Sequence, residues 1–218
     1  MPELTDFSDR TPANSNATSL PSLRRLDSRD SLDELTALLH RAFAPLGVMG
    51  LNCTGINQSV DVTGRRIAGG ECFVALSEGR VVGTLTLYAP DAGSASAWYH
   101  RPEVASIHQF AVDPPFQGKG VGKALLKLAE TWAAARGYRE LALETPHAAK
   151  HLVDLYKGCG YRPIESVRFQ DKSYVSLVLS KAVVASAISR AGRPTLHLPR
   201  RRADTTHTAV AHGERAAA

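Results

Sequence analysis

Residues 112–126 read Val112-Asp113-Pro114-Pro115-Phe116-Gln117-Gly118-Lys119-Gly120-Val121-Gly122-Lys123-Ala124-Leu125-Leu126. An apolar run ends at Val112, glycines alternate with other residues, and a helical apolar period begins at Val121. A strand–loop–helix junction of this kind presents several backbone N–H groups at the positive end of a helix, which is an anion site. Gly118, Gly120 and Gly122 let a phosphate approach the backbone, and Lys119 and Lys123 add charge. Two other phosphate loops are excluded. A P-loop would need glycine at Gln117 and a hydroxyl residue at Ala124. The three glycines are also misspaced for a dinucleotide fingerprint, and they follow hairpin strands rather than opening a βαβ unit.

Other groups with chemical potential are scattered. His108 has the titration range of a general base. By the period-two rule Ser106, His108, Phe110 and Val112 share one strand face, unless a bulge intervenes. Glu71, Glu103 and Glu144 are rival bases. His147 and His151 lie four apart without an evident third ligand, so no metal site is expected. Cys53, Cys72 and Cys159 are odd in number and widely spaced; they fit a reducing cytoplasm better than a disulfide framework. Cys159 reads as a small packing residue.

The elements that must position these groups follow from pattern. Ser31-Leu32-Asp33-Glu34 is a capping box. Leu32, Leu35, Leu38, Leu39, Ala42 and Phe43 then recur at helical spacing, with Pro45 and Gly47 expected to stop the helix. A short second helix is expected near 60–68. Cys72–Leu76 and Val81–Leu87 flank Ser77-Glu78-Gly79-Arg80 and read as a hairpin. Ala105–Val112 is a strand, Gly120–Ala135 a helix capped by Gly137, Leu141–Glu144 a strand, and Ala148–Lys157 a helix. A final hairpin is expected at about 164–169 and 173–179. This order gives a mixed α/β domain with hairpins at both ends and one central β-α-β crossover.

The chain has 218 residues and a formal net charge of +5. Residues 1–180 carry 19 basic and 19 acidic side chains, and residues 181–218 carry seven and two. The balanced body argues against a nucleic-acid-binding surface. The expected organisation is a disordered lead-in over 1–21, one folded domain over 22–180, and a basic, disordered tail over 181–218. Arg200–Arg202 is the sole feature that favours a nucleic-acid or membrane-surface role, and a solvated tail explains it as well. No apolar stretch approaches the ~18 residues of a membrane span, and the first residues lack the basic region of a signal peptide. A cytoplasmic location is expected.

Gln117-Gly118-Lys119-Gly120-Val121-Gly122 resembles the Gln/Arg-x-x-Gly-x-Gly/Ala loop of the GNAT N-acetyltransferase superfamily. Phe110-Ala111-Val112-Asp113-Pro114 is similar to that family's fourth strand and its exit. Leu155-Tyr156-Lys157-Gly158-Cys159-Gly160-Tyr161 resembles its tyrosine motif. The match in order covers about residues 22–180. It implies a GNAT fold: a mixed, mostly antiparallel sheet, splayed between strands four and five, with helices on both faces. It implies acetyl-CoA as co-substrate, with pyrophosphate on the amides of Gly118–Gly122 and pantetheine beside Phe110, Ala111 and Val112. In the family the aligned tyrosine, here Tyr156, protonates the leaving thiolate. In arylalkylamine-type members a histidine at the place of His108 takes the amine proton through water. Many members instead carry a glutamate on the fourth strand, where this chain has Ser106 or a neighbour. After the fifth strand the family often has an asparagine, and this chain has Thr145 or His147 near that place.

The resemblance implies direct acetyl transfer to a primary amine of a small molecule by a monomer or homodimer. A protein lysine or N-terminus as acceptor, or a non-catalytic acyl-CoA-binding module, are the alternatives. Acceptor choice is expected to lie in residues 44–66 and near 166–174.

Overall fold

A computed structural model of the chain describes residues 21–183. The lead-in (except for Pro21) and the tail beyond 183 lie outside those residues. Seven strands form one sheet: β1 (Ser22–Arg25), β2 (Glu71–Ser77), β3 (Arg80–Tyr88), β4 (Val104–Val112), β5 (Glu140–Pro146), β6 (Arg162–Val167) and β7 (Ser176–Ala182). The helices are α1 (Leu32–Val48), α2 (Val60–Ala68), α3 (Val121–Ala135) and α4 (Lys150–Gly158). The spatial order is β1-β2-β3-β4-β5-β7-β6, and β4–β5 is the parallel pair in an otherwise antiparallel sheet.

Alternation along β2 sorts the two faces. Cys72 and Val74 meet Leu35 of α1, with Ile67 of α2 packed alongside. Phe73 and Ala75 join Val121, Leu125 and Ala129 of α3 and Val153 of α4. Each helix hides its apolar stripe on one side of the sheet, so helices cover both faces.

Several expectations change. β1 is absent from the sequence reading; it is a short edge strand held by β2. Helix α1 does not stop at Pro45 but continues to Val48. Pro45 lacks a donor, yet its fixed φ is helical, and the turn beyond it closes through Met49 N–H to the Pro45 carbonyl at 3.2 Å. The last hairpin is shifted. β7 extends past residue 180 to Ala182, which pairs with Glu140. The connection from 168 to 175 forms no strand; it closes a turn through Lys172 N–H to the Phe169 carbonyl at 3.1 Å. Ser173 N–H donates to Asn52 Oδ1 at 2.9 Å, Asn52 Nδ2 donates to the Asp171 carbonyl at 2.8 Å, and Lys172 Nζ donates to Thr54 Oγ1 at 2.8 Å.

Two features shape the site. β4 and β5 pair only from Val104↔Glu140 to Ser106↔Ala142 and then diverge. The β5-facing edge of β4 is therefore open over 107–112. Gln109 has φ of 49°, and the β3–β4 register slips between Thr84 and Thr86, which marks a β-bulge. The bulge corrects the period-two expectation. Phe110 and Val112 lie towards α3, within 3.5 and 3.6 Å of a Cβ placed on Gly122. Ser106 and His108 lie on the opposite face, where His108 stacks on Tyr88 with ring centroids 4.2 Å apart.

Candidate active site

The splay opens a cavity of about 630 Å³. One end is the glycine loop. Gly118 has φ of 73° and Gly120 has φ of 87°, both in the left-handed region that favours glycine. Beyond the adjoining residues, no atom lies within 4 Å of a Cβ built at either position. The N–H groups of 118–123 donate to nothing among the described residues; the first helical bond is Ala124 N–H to the Gly120 carbonyl at 3.0 Å. Those free donors, backed by the positive end of α3, are suited to hold an anion. Gln117 Nε2 ties the loop back to the Val112 carbonyl at 3.0 Å. Arg41 of α1 clamps the strand exit, Nε and Nη2 meeting the buried Asp113 carboxylate at 3.0 and 2.8 Å.

The expected site residues converge, with two exceptions. His108, Phe110, Ala111, Val112, Gln117, Gly118, Gly120, Gly122, Lys123 and Tyr156 all line the cavity. Val121 turns its side chain into the core and offers only its N–H. Lys119 stands over the Phe116 ring, 5.5 Å from its centroid, and does not line the cavity.

Tyr156 sits on the last turn of α4. Gly160, at φ of 89°, reverses the chain so that Tyr161 N–H returns to the Tyr156 carbonyl at 3.0 Å. Tyr156 is 8% exposed and packs against Phe110 and Tyr161. Burial pushes its phenol well above the ordinary range. It therefore keeps its proton at neutral pH.

The other end of the cavity carries His108, Glu144, Arg66, Lys172 and Tyr174. His108 Nε2 shares a hydrogen bond of 2.9 Å with Ser106 Oγ. Burial, then the nearby Arg66 charge, pushes His108 down to about 3. Glu144 Oε2 accepts from Tyr99 Oη at 3.1 Å, and burial raises its carboxyl. Glu71 is engaged by Arg25 and Arg136, and Glu103 by Arg101; neither lines the cavity. Among the three glutamates weighed as bases, Glu144 alone faces the site. Thr145 and His151 line the cavity; His147 does not. Among the described residues no group of three or more His, Cys, Asp or Glu is placed to hold a metal ion.

Sequence reading missed a polar chain behind this end. Gln58 Nε2 donates to Gln109 Oε1 at 2.9 Å and to Thr63 Oγ1 at 2.6 Å, while Arg66 Nη1 donates to Gln58 Oε1 at 2.7 Å. Gln58 and Gln109 are buried. The strained bulge is thus held by a residue far away in sequence, and the same residue orients Arg66. No local pattern marks such a contact.

The sequence profile of the acetyltransferase (GNAT) family matches residues 55–161. The chain is 29% identical over 146 residues to S-(2-succino)cysteine N-acetyltransferase of Bacillus subtilis, covering 65% of this chain and 84% of that one. It is 29% identical to aminoglycoside N(6')-acetyltransferase type 1 of Stenotrophomonas maltophilia, covering 65% and 74%. A Bacillus subtilis acetyltransferase solved in complex with CoA superposes with a TM-score of 0.53 at 20% identity, covering 75% of this chain and 99% of that one. The chain belongs to the GNAT superfamily. Its reaction class is acyl-CoA-dependent N-acetyl transfer.

Proposed function

We propose that this enzyme transfers the acetyl group of acetyl-CoA to the primary amine of a small molecule. The observation that carries the reading is one continuous cavity. It joins Gly118, Gly120, Gly122 and Lys123 of the loop, the open edge of β4, Tyr156 and Glu144. The two relatives named above carry names for small-amine acetylation, which supports the acceptor class. We place the work in the cytoplasm, in keeping with three free cysteines. The lead-in and basic tail remain assigned to no part of the reaction.

In this reading the diphosphate of acetyl-CoA lies on the loop amides with Lys123 beside it. The pantetheine runs along β4 as an added strand, its amides pairing with the backbone near Phe110, Ala111 and Val112. The acceptor arrives as an ammonium ion. Glu144 is the better-supported proton acceptor: its carboxyl is raised, whereas His108 at about 3 is a weak base. The neutral nitrogen attacks the thioester carbon. A C–N bond forms, and the carbonyl electron pair moves to oxygen, where a backbone N–H of β4 beside the bulge stabilises it. The intermediate collapses, and the C–S bond breaks. The thiolate receives the Tyr156 proton as sulfur charge develops, the nitrogen's second proton passes through water to restore the Tyr156 hydroxyl, and Glu144 releases the first proton to water. The sum is ammonium plus acetyl-CoA giving amide, CoA thiol and one proton to water.

The test is thiol release from acetyl-CoA across a panel of small amines, amino acids, polyamines, aminoglycosides and peptides. Turnover with small amines is expected. Turnover with peptides alone would transfer the reading to a protein acceptor. Acetyl-CoA binding without any turnover would leave a non-catalytic acyl-CoA module.

A further inference from the structure

We infer that the acceptor amine carries a carboxylate, which Arg66 seats at the end of the cavity away from the glycine loop. The inference rests on the reading of this cavity as the acceptor site.

Most arginines around the fold already hold an anion. Seven of the twelve described arginines meet a carboxylate, and Arg65, Arg80, Arg139 and Arg168, which meet none, are exposed and do not line the cavity. Arg66 differs. It lines the cavity and makes no ion pair among the described residues. Its one side-chain hydrogen bond there runs from Nη1 to the neutral Gln58 amide. A guanidinium has five N–H donors in a planar fork, so most of its valence is unspent. Half-buried cations without a counter-charge are unfavourable. Burial pulls Arg66 below the ordinary guanidinium range, and the charges of Glu144 and Asp171 offset this only in part.

The orientation is fixed rather than loose. Gln58 holds the guanidinium, and Tyr88 Oη donates to the Arg66 carbonyl. Tyr88 pairs with Ser106, near the start of β4, whereas the phosphate cradle follows the end of β4. Arg66 therefore lies away from the diphosphate, and its anion is a different one. Lys172 adds a second cation to the same wall, although Asp171 already faces it at 2.5 Å. Glu144 is the negative group of this end. Its Oε1 has no partner among the described residues, and it forms no ion pair with Arg66. A wall with a spare guanidinium and a spare carboxylate oxygen complements a zwitterion: carboxylate on Arg66, ammonium on Glu144. The acceptor class is thus an amino acid or an amine of that kind, in preference to a polycationic amine.

The experiment pairs acceptors that differ only in the acid. Glutamate, S-carboxymethylcysteine and phenylalanine are compared with their α-amides and with the decarboxylated amines, by thiol release at saturating acetyl-CoA. For the best acceptor, the carboxylate is expected to raise kcat/KM by about 10- to 100-fold over its amide, as a charge-assisted bond would. Arg66→Gln is expected to collapse that ratio towards one, through KM, with acetyl-CoA affinity unchanged by calorimetry. Equal rates for acids and amides in the wild-type enzyme would overturn the inference and leave small-amine acetylation standing. A ratio that survives in folded Arg66→Gln would also overturn it. Acetyl-CoA binding with no amine turned over would remove both the reading and the inference. Competitive inhibition by succinate but not by succinamide in the wild-type enzyme is expected as well, and keeps the test valid if the variant fails to fold.

Discussion

Lowering the pH should expose the state of His108 in the ligand-free enzyme. A histidine titrates near 6.5 in an unfolded chain, and burial with the Arg66 charge holds His108 at about 3 in the fold. The unfolded state therefore binds the extra proton first. Stability should be fully present above pH ~6.5 and should fall as pH drops from there towards about 3. Each unit in that window is worth ~1.4 kcal/mol, so at pH 5 the loss reaches about 2 kcal/mol as an upper value. The ring lines the cavity, so water access reduces this figure. His108→Gln has no imidazole to titrate. It should lose the stack on Tyr88 at every pH, but its stability should vary less between pH 7.5 and 5. Urea unfolding of both proteins at pH 7.5, 6 and 5 reads the difference of slopes, in which the other titrating groups cancel. The ring resonances of His108 provide a direct check. The same property fixes the kinetics. The acidic limb of kcat/KM should persist in His108→Gln and disappear in Glu144→Gln. Parallel unfolding curves, or a His108 titration near 6.5, would refute the reasoning. They would return His108 to the role of base.

Tyr156→Phe removes one hydroxyl and keeps the ring between Phe110 and Tyr161, so kcat should fall on the order of 100-fold with acetyl-CoA affinity nearly unchanged. Wild-type kcat in that variant would assign thiolate protonation to water. Gly120→Val forces a β-branched residue to φ of 87° and fills open space above the free amides. Acetyl-CoA should bind about tenfold or more weakly, and the fold should lose roughly 1–2 kcal/mol. Calorimetry with unchanged affinity in a folded Gly120→Val protein would remove the loop as the diphosphate cradle.

Features set by neighbours in sequence were legible without coordinates. Ser31 caps α1 through the Glu34 N–H, the Glu78-Gly79 turn joins β2 to β3, and Gly118 and Gly120 take left-handed backbone just before α3. Each depends on local backbone geometry that a few residue types dictate. The order of strand exit, loop, helix and tyrosine motif was enough to name the family. Groups brought together across the chain were not legible. The bulge at Gln109 inverts the face on which Phe110 and Val112 lie, and Gln58 holds it from 51 positions away. His108 is a candidate base by residue type, and only the fold shows it against Tyr88 and Tyr99, where burial and then the Arg66 charge push it down to about 3. Arg66 falls within the segment 44–66 expected to face the acceptor, but only the fold shows that it lines the cavity with no carboxylate partner among the described residues. Residue type and spacing determine which groups are present, but burial and the neighbours that folding supplies determine their charge and reach.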